Sequence, residues 1–254
     1  MFQTIPIGPL RIQTFGLALL LAYMAGLWLA ARRGPRHGIA GDHIYNAGFY
    51  ALLVGLVAAR LGHAVAYFEV YQTDPMQILS LSPGAFLALP GLLGGLAMVA
   101  IYLRRHHLSA VAFADAAAPG ILLALTVAAL GDFLAGRSLG SLSDAPWAME
   151  MFGVQRQPVA LIEAVALGGL LAILLLVDSR RPLRPGQLAL LALFGYATIR
   201  LLTEPLRADS ALVGDGWRVV QIVALAVIAF SGWLLGRGAT RPDEPEAEAP
   251  PAAV

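Results

Sequence analysis

Apolar residues run through this chain in long, almost unbroken blocks, with the polar residues gathered in the gaps between them. Seven blocks reach or approach the ~20 residues that a helix needs to cross a bilayer. They predict spans near 12–31, 44–68, 85–103, 110–135, 158–177, 186–203 and 217–236. Several contain Gly or Pro, which membrane helices tolerate. The small-residue run PGLLGG at 90–95 predicts close helix contact. The expected fold class is all-α, a polytopic membrane protein with seven transmembrane helices in one domain, 1–236. The remainder, 237–254, is acidic and rich in Pro and Ala, and reads as a disordered tail.

The gaps carry unequal charge. One alternate set holds Arg32, Arg33, Arg36, Arg104, Arg105, Arg180, Arg181, Arg184, Arg237 and Arg241. The other holds Arg11, Arg137, Arg156, Arg207 and Arg218. The positive-inside rule places the richer set in the cytoplasm. The N-terminus is therefore expected outside and the C-terminus inside. The opening MFQTIPIGPLRIQ lacks the basic start of a cleaved signal peptide, so the first span is expected to be retained.

Composition narrows the chemistry. Apolar residues make up 58% of the 254, and charged residues only 13%, about half of what a soluble domain carries. The mean hydropathy is +0.72. The net charge of +1, without a basic patch interleaved with aromatics, argues against a nucleic-acid partner. Cysteine is absent, which excludes disulfides, metal–thiolate sites and a cysteine nucleophile. All seventeen basic residues are arginine, so lysine chemistry is excluded too.

The few charges inside the spans are the candidate chemistry. In FGYATIRLLTEPLR (194–207), Tyr196, Arg200, Glu204 and Arg207 follow at steps of four, four and three, on one helical face. A charge at mid-membrane costs roughly 2.5–3.5 kcal/mol on insertion scales. With the expected orientation, Arg60 lies roughly 24 Å along the second span at 1.5 Å per residue, toward the outer leaflet. His63 is one turn further out. Asp132, Glu163, Tyr196, Arg200 and Glu204 fall in the same leaflet. Asp115, near the inner start of the fourth span, is read as favouring that helix N-terminus electrostatically. Singly, each has a plain explanation: snorkelling arginines, an i,i+4 pair, a packing histidine. Together they predict a cationic pocket for an anionic phospholipid headgroup, since guanidinium binds phosphate oxygens in pairs.

Longer runs resemble one family. IGPLRIQTFGL (7–17), AARLGHAVAYF (58–68), PWA (146–148), RQPVALIEA (156–164) and YATIRLLTEPLR (196–207) are similar in order and spacing to motifs of the bacterial prolipoprotein diacylglyceryl transferases. The matching positions include Arg60, Gly62, Arg156, Glu163, Tyr196, Arg200, Glu204 and Arg207. The resemblance implies a multi-pass protein of the bacterial inner membrane with its site facing the periplasmic leaflet. It implies transfer of a diacylglyceryl group from phosphatidylglycerol to the lipobox cysteine thiol of a lipoprotein precursor, whose signal peptide is the second partner. No cofactor is implied. Arg200 would bind the phosphate, Glu204 would orient Arg200, and Tyr196 would donate to a lipid oxygen. Arg60 would be a second anion contact or a partner for Glu163. Asp132 and Arg207 complete the expected substrate-binding set.

The chain departs from that pattern at several positions. AALGDFLAGR (128–137) stands where the family has G-R-x-G-N-F-x-N-x-E, which puts Ala129, Asp132, Ala135 and Arg137 at its polar positions. Leu89 and Gln157 replace histidines, and Phe15 replaces a tyrosine. Two readings stay open. In one, catalysis persists with relocated groups. Arg137 then reaches the helical face of Ala129 from eight residues away, and His63 acts as base. In the other, the site is degenerate, and the chain binds an anionic phospholipid or serves as a scaffold. A transporter is a third class, disfavoured by charges gathered in one leaflet and by the lack of an internal repeat. The 137–157 loop, with Arg137, Asp144, Trp147, Glu150 and Arg156, is expected to be a lid or an amphipathic cover, with Trp147 as an interface anchor.

Overall fold

The computed structural model describes residues 4–7, 10–73, 76, 84–180, 183–213 and 216–239. The acidic tail beyond Ala239 lies outside the described residues. Seven helices are long and apolar enough to cross a membrane. They are α1 (Thr14–Arg33), α2 (Gly41–Ala66), α4 (Ala88–Arg105), α5 (Ala110–Ala135), α6 (Val159–Arg180), α7 (Gln187–Thr203) and α8 (Val219–Ala239), with a short α3 (Phe68–Thr73) between the second and third. Each predicted span has its helix, shifted by a few residues at the ends.

Three short antiparallel hairpins interrupt the helical pattern: β1–β2 (Thr4–Ile7, Leu10–Gln13), β3–β4 (Met149–Met151, Val154–Arg156) and β5–β6 (Leu212–Val213, Trp217–Arg218). With each helix crossing once, all three fall at the same end of the bundle. The β3–β4 turn places Phe152 and Gly153 at φ 55° and 79°, the left-handed pair of a two-residue hairpin loop.

Small residues set the helix contacts. α1 packs along α5, and a Cβ on Gly26 would stand 2.8 Å from the Gly120 carbonyl oxygen, so these two backbones touch. α2 packs along α4, and a Cβ on Gly91 would stand 3.1 Å from the Gly55 carbonyl oxygen. That is the close approach expected of PGLLGG. Large apolar side chains fill the rest: Leu122, Leu167, Leu174 and Leu188 form the core between α5, α6 and α7.

Asp115 serves a different helix from the one expected. It is buried, and its carboxylate accepts from the backbone N–H groups of Gly186 at 2.5 Å and Ala189 at 2.8 Å. It therefore caps α7 from α5, satisfying two of the orphan donors at that helix start. The start of α5 itself is capped by Ser109, whose hydroxyl accepts from Ala112 N–H.

The end of α5 also corrects an expectation. Gly136 is left-handed (φ 66°), and the N–H of Arg137 bonds back to the Asp132 carbonyl. This glycine stop ends the helix at Ala135. Arg137 lies beyond it, so counting helical turns from Ala129 to Arg137 does not apply.

Candidate functional site

The charged face of α7 closes against the first turns of α6. Arg200 donates from Nη1 to Glu163 Oε1 at 2.6 Å and from Nη2 to Glu204 Oε2 at 2.7 Å. Thr203 Oγ1 donates to the same Glu163 oxygen at 2.9 Å, and Arg207 Nη1 stands 3.6 Å from it. Glu163 and Glu204 are only 7% and 1% exposed. Carboxylates so far from solvent require paired charges and hydrogen bonds, and Arg200 supplies both at once.

Glu204 is placed by a break in α7. Pro205 has no N–H to continue the ladder and holds a 3₁₀ turn over Glu204–Leu206. The chain then extends at Arg207 and is sewn to the loop after α5. Ser141 N–H donates to the Leu206 carbonyl at 2.8 Å, and Ala208 N–H donates to the Leu139 carbonyl at 3.0 Å. On its other side, this segment accepts from Gln157 N–H through the Ser141 carbonyl at 3.0 Å. Arg218 fastens the turn from beneath: its Nη1 reaches the Glu204 carbonyl at 2.7 Å, the Arg207 carbonyl at 3.0 Å and Ser210 Oγ at 2.6 Å.

A cavity of about 320 Å³ opens beside Arg200, between α5, α6 and α7. Its polar lining is Asp132, Glu163, Tyr196, Arg200 and Arg207. Where a cationic pocket was expected, the charged lining is balanced, with two guanidiniums and two carboxylates. Arg200 uses two of its five N–H donors on Glu163 and Glu204, leaving the others for a ligand. Arg207 is clamped by Asp209 through Nε at 3.1 Å and Nη2 at 3.0 Å. Burial pulls the Arg207 pKa down, but Asp209 and Glu163 outweigh it, and the pKa rises above its ordinary value. In the reverse sense, burial pushes Asp209 up, yet the bonds and charge of Arg207 hold its carboxyl below the usual aspartate range.

Asp132, Glu163, Tyr196, Arg200 and Arg207 thus line one cavity, and Glu204 bonds Arg200 beside it. Other expected members stand elsewhere. Arg60 is not among the residues lining this cavity. It donates to the Ala85 carbonyl at 2.9 Å and lies over the rings of Tyr71 and Phe86. Glu163 is held instead by the end of α7. His63 bonds Tyr71 through Nδ1 and the phenol oxygen at 2.9 Å, and its ring lies 4.5 Å from that of Tyr67. It belongs to the α2–α3 corner. Arg137 rests over the Phe15 ring at 3.8 Å and reaches Asp132 only at 3.9 Å. Its side chain is 58% exposed. Ala129 lines the cavity itself, while Leu89 is exposed on α4.

Gln157 is buried and ties the 137–157 loop together. It accepts from Trp147 Nε1 at 2.8 Å and donates to Ser143 Oγ at 3.0 Å. The loop is therefore tied down by hydrogen bonds around the β3–β4 hairpin. Thr203 and Arg218 are the members that reading the sequence missed. Thr203 had a signal, three residues after Arg200 on the same face. Arg218 had none, because its partners are carbonyls of a turn whose shape the sequence does not spell out.

The family described as prolipoprotein diacylglyceryl transferase matches residues 3–237. A protein of Methylobacillus flagellatus named phosphatidylglycerol–prolipoprotein diacylglyceryl transferase is 32% identical, with 91% of this chain and 94% of that protein covered. Proteins of the same name from Photobacterium profundum and Synechococcus elongatus are 30% and 28% identical, covering 91% and 94% of this chain and 90% and 89% of their own. With the match running from the first hairpin to the last helix, the chain belongs to the prolipoprotein diacylglyceryl transferase family.

Proposed function

We propose that this protein transfers the diacylglyceryl group of phosphatidylglycerol to the cysteine thiol of a lipoprotein precursor, from the cavity beside Arg200. One observation carries the reading: Arg200 is held rigidly by Glu163 and Glu204 yet keeps donors facing a cavity that Tyr196 and Arg207 also line. The reaction is displacement at an sp³ carbon. The thiol loses its proton, sulfur bonds to the glyceryl carbon, the carbon–oxygen bond to phosphate breaks, and glycerol 1-phosphate leaves. Charge develops on the departing phosphate, where prepositioned donors help most. Arg200 and Arg207 are those donors, and Tyr196 adds a hydroxyl to a lipid oxygen.

The thiolate is the nucleophile, so a base must take the proton. His63 and Arg137 do not line the cavity. Of the carboxylates that do, Glu163 is occupied by Arg200, Thr203 and Arg207. Asp132 is the less engaged, bonded to the Ser138 hydroxyl, with Arg137 at 3.9 Å and its side chain 31% exposed. We assign it the proton. The same reading puts the N-terminus and the hairpin end outside, in the inner membrane of a bacterium, so that the cavity meets the outer leaflet.

The second reading, a lipid-binding relative without transfer activity, draws on the placement of His63 and Arg137 away from the cavity. Growth of a strain depleted of its own diacylglyceryl transferase separates the two. The wild-type chain restores growth, and Asp132→Asn does not. Failure of the correctly inserted wild type, together with retained phosphatidylglycerol, would establish the second reading instead.

A further inference from the structure

The end of the bundle opposite the candidate site holds a second polar cavity, of about 420 Å³. It lies where α1 leaves into a 3₁₀ turn (Gly34–His37), against the start of α5, the end of α6 and the segment that leads into α7. Arg36, His37, Asp115 and Asp178 line it. Asp115 is committed to structure, and Asp178 is committed through one of its two oxygens. Asp115 caps α7. Asp178, 7% exposed at its side chain, accepts from Arg33 Nη1 at 3.0 Å and so ties α6 to the end of α1.

The other two have capacity left. The Arg36 side chain is 55% exposed, and its guanidinium stands 4.0 Å from Asp178, outside hydrogen-bond range. His37 Nε2 is buried and has no hydrogen-bond partner among the described residues. The nearest carboxylate oxygen, on Asp178, is 3.7 Å away. A buried polar atom left without a partner costs free energy unless something in the cavity bonds it. Arg184 lies in sequence between two lining residues, Leu183 and Pro185, and Arg180 ends α6, so further arginines belong to this end of the bundle.

We infer that this cavity binds a phosphate-bearing glycerol group, with the phosphate on Arg36 and His37 Nε2 and a glycerol hydroxyl on Asp178. Guanidinium and imidazole donors suit phosphate oxygens, and the free Asp178 oxygen suits a hydroxyl donor. A pocket that presents an arginine among helix ends, on the arginine-rich side of the bundle, is a setting in which anionic headgroups collect. The same chemistry is offered by a phosphatidylglycerol headgroup and by free glycerol phosphate. The site is separate from the Arg200 cavity, since the two lie at opposite ends of α5 and α6.

The cysteine-free sequence makes the test clean. Ala112→Cys places one thiol in the cavity wall of the full chain, and its maleimide labelling is timed in phosphatidylcholine nanodiscs. Labelling follows the unoccupied fraction, so it slows about tenfold when ligand stands at ten times its dissociation constant. Slowing by added phosphatidylglycerol alone identifies a lipid headgroup. Slowing by soluble glycerol 1-phosphate as well identifies a free phosphate ester. Arg36→Gln and His37→Gln, which leave the Arg33–Asp178 pair in place, each abolish the protection. Unchanged labelling with both ligands, or equal protection in both variants, overturns the proposal.

Discussion

In the proposed function, Arg200 holds two buried carboxylates and keeps donors for a third anion. Guanidinium can do this because its N–H groups point outward in a fixed plane, and ammonium cannot. The pair is strongest as a unit: removing the cation leaves Glu163 and Glu204 buried and unpaired, a loss of about 3–5 kcal/mol by analogy with broken buried pairs. Further out, Arg207 and Asp209 form a more exposed fork whose strength depends on pH. Asp209 has a folded-state pKa held below its unfolded value, so its contribution is present above roughly pH 4 and is lost as pH falls through the folded value. Asp209→Asn should therefore melt below wild type at pH 7 in detergent, and the gap should narrow as the pH is lowered to 3. A gap of the same size at both pH values would show that Asp209 acts by something other than its charge. The matched residues of 196–207 were legible at this scale, because a helical period fixes which side chains share a face. His63 and Arg137 stand outside the cavity: His63 was given its role by residue type, and Arg137 by counting turns past the end of its helix. Reach depends on the neighbouring helix and on where the helix stops.

At the scale of elements, hydropathy located every long helix, since a bilayer rewards nothing except length and apolarity. It did not reveal the hairpins, whose strands are only two to four residues long. Too short to show alternation, they are held by their partners: Gly140 sits where any Cβ would collide with the Gln157 carbonyl. Helix capping across elements was equally hidden. Asp115 lies 71 residues before its partner Gly186, a pairing that no local pattern encodes. Its removal tests the cap directly. Asp115→Ala should cost about 0.5–2 kcal/mol, read as a lower melting temperature, with hydrogen exchange rising in the first turn of α7. Faster exchange confined to α5 would instead assign the residue to its own helix.

Across the whole molecule, the two ends of the bundle differ in kind. One end carries hairpins and the Arg200 cavity. The other carries tight turns and most of the arginines. The charge bias predicts which end stays in the cytoplasm. Single cysteines introduced into the cysteine-free chain check it: Ala145→Cys should react with an impermeant maleimide in intact spheroplasts, and Ser179→Cys only after lysis. The opposite result would invert the protein and remove the outer-leaflet site.

The account rests on phosphate departing against Arg200 while sulfur bonds to carbon. Transfer from phosphatidylglycerol labelled in its acyl chains to a lipobox peptide, by purified protein, measures this directly. The wild type should yield thioether-linked diacylglyceryl peptide and glycerol 1-phosphate in equal amounts, and Arg200→Gln, checked for intact folding, should yield neither. Absence of product from the wild type, or equal turnover by Arg200→Gln, would contradict it.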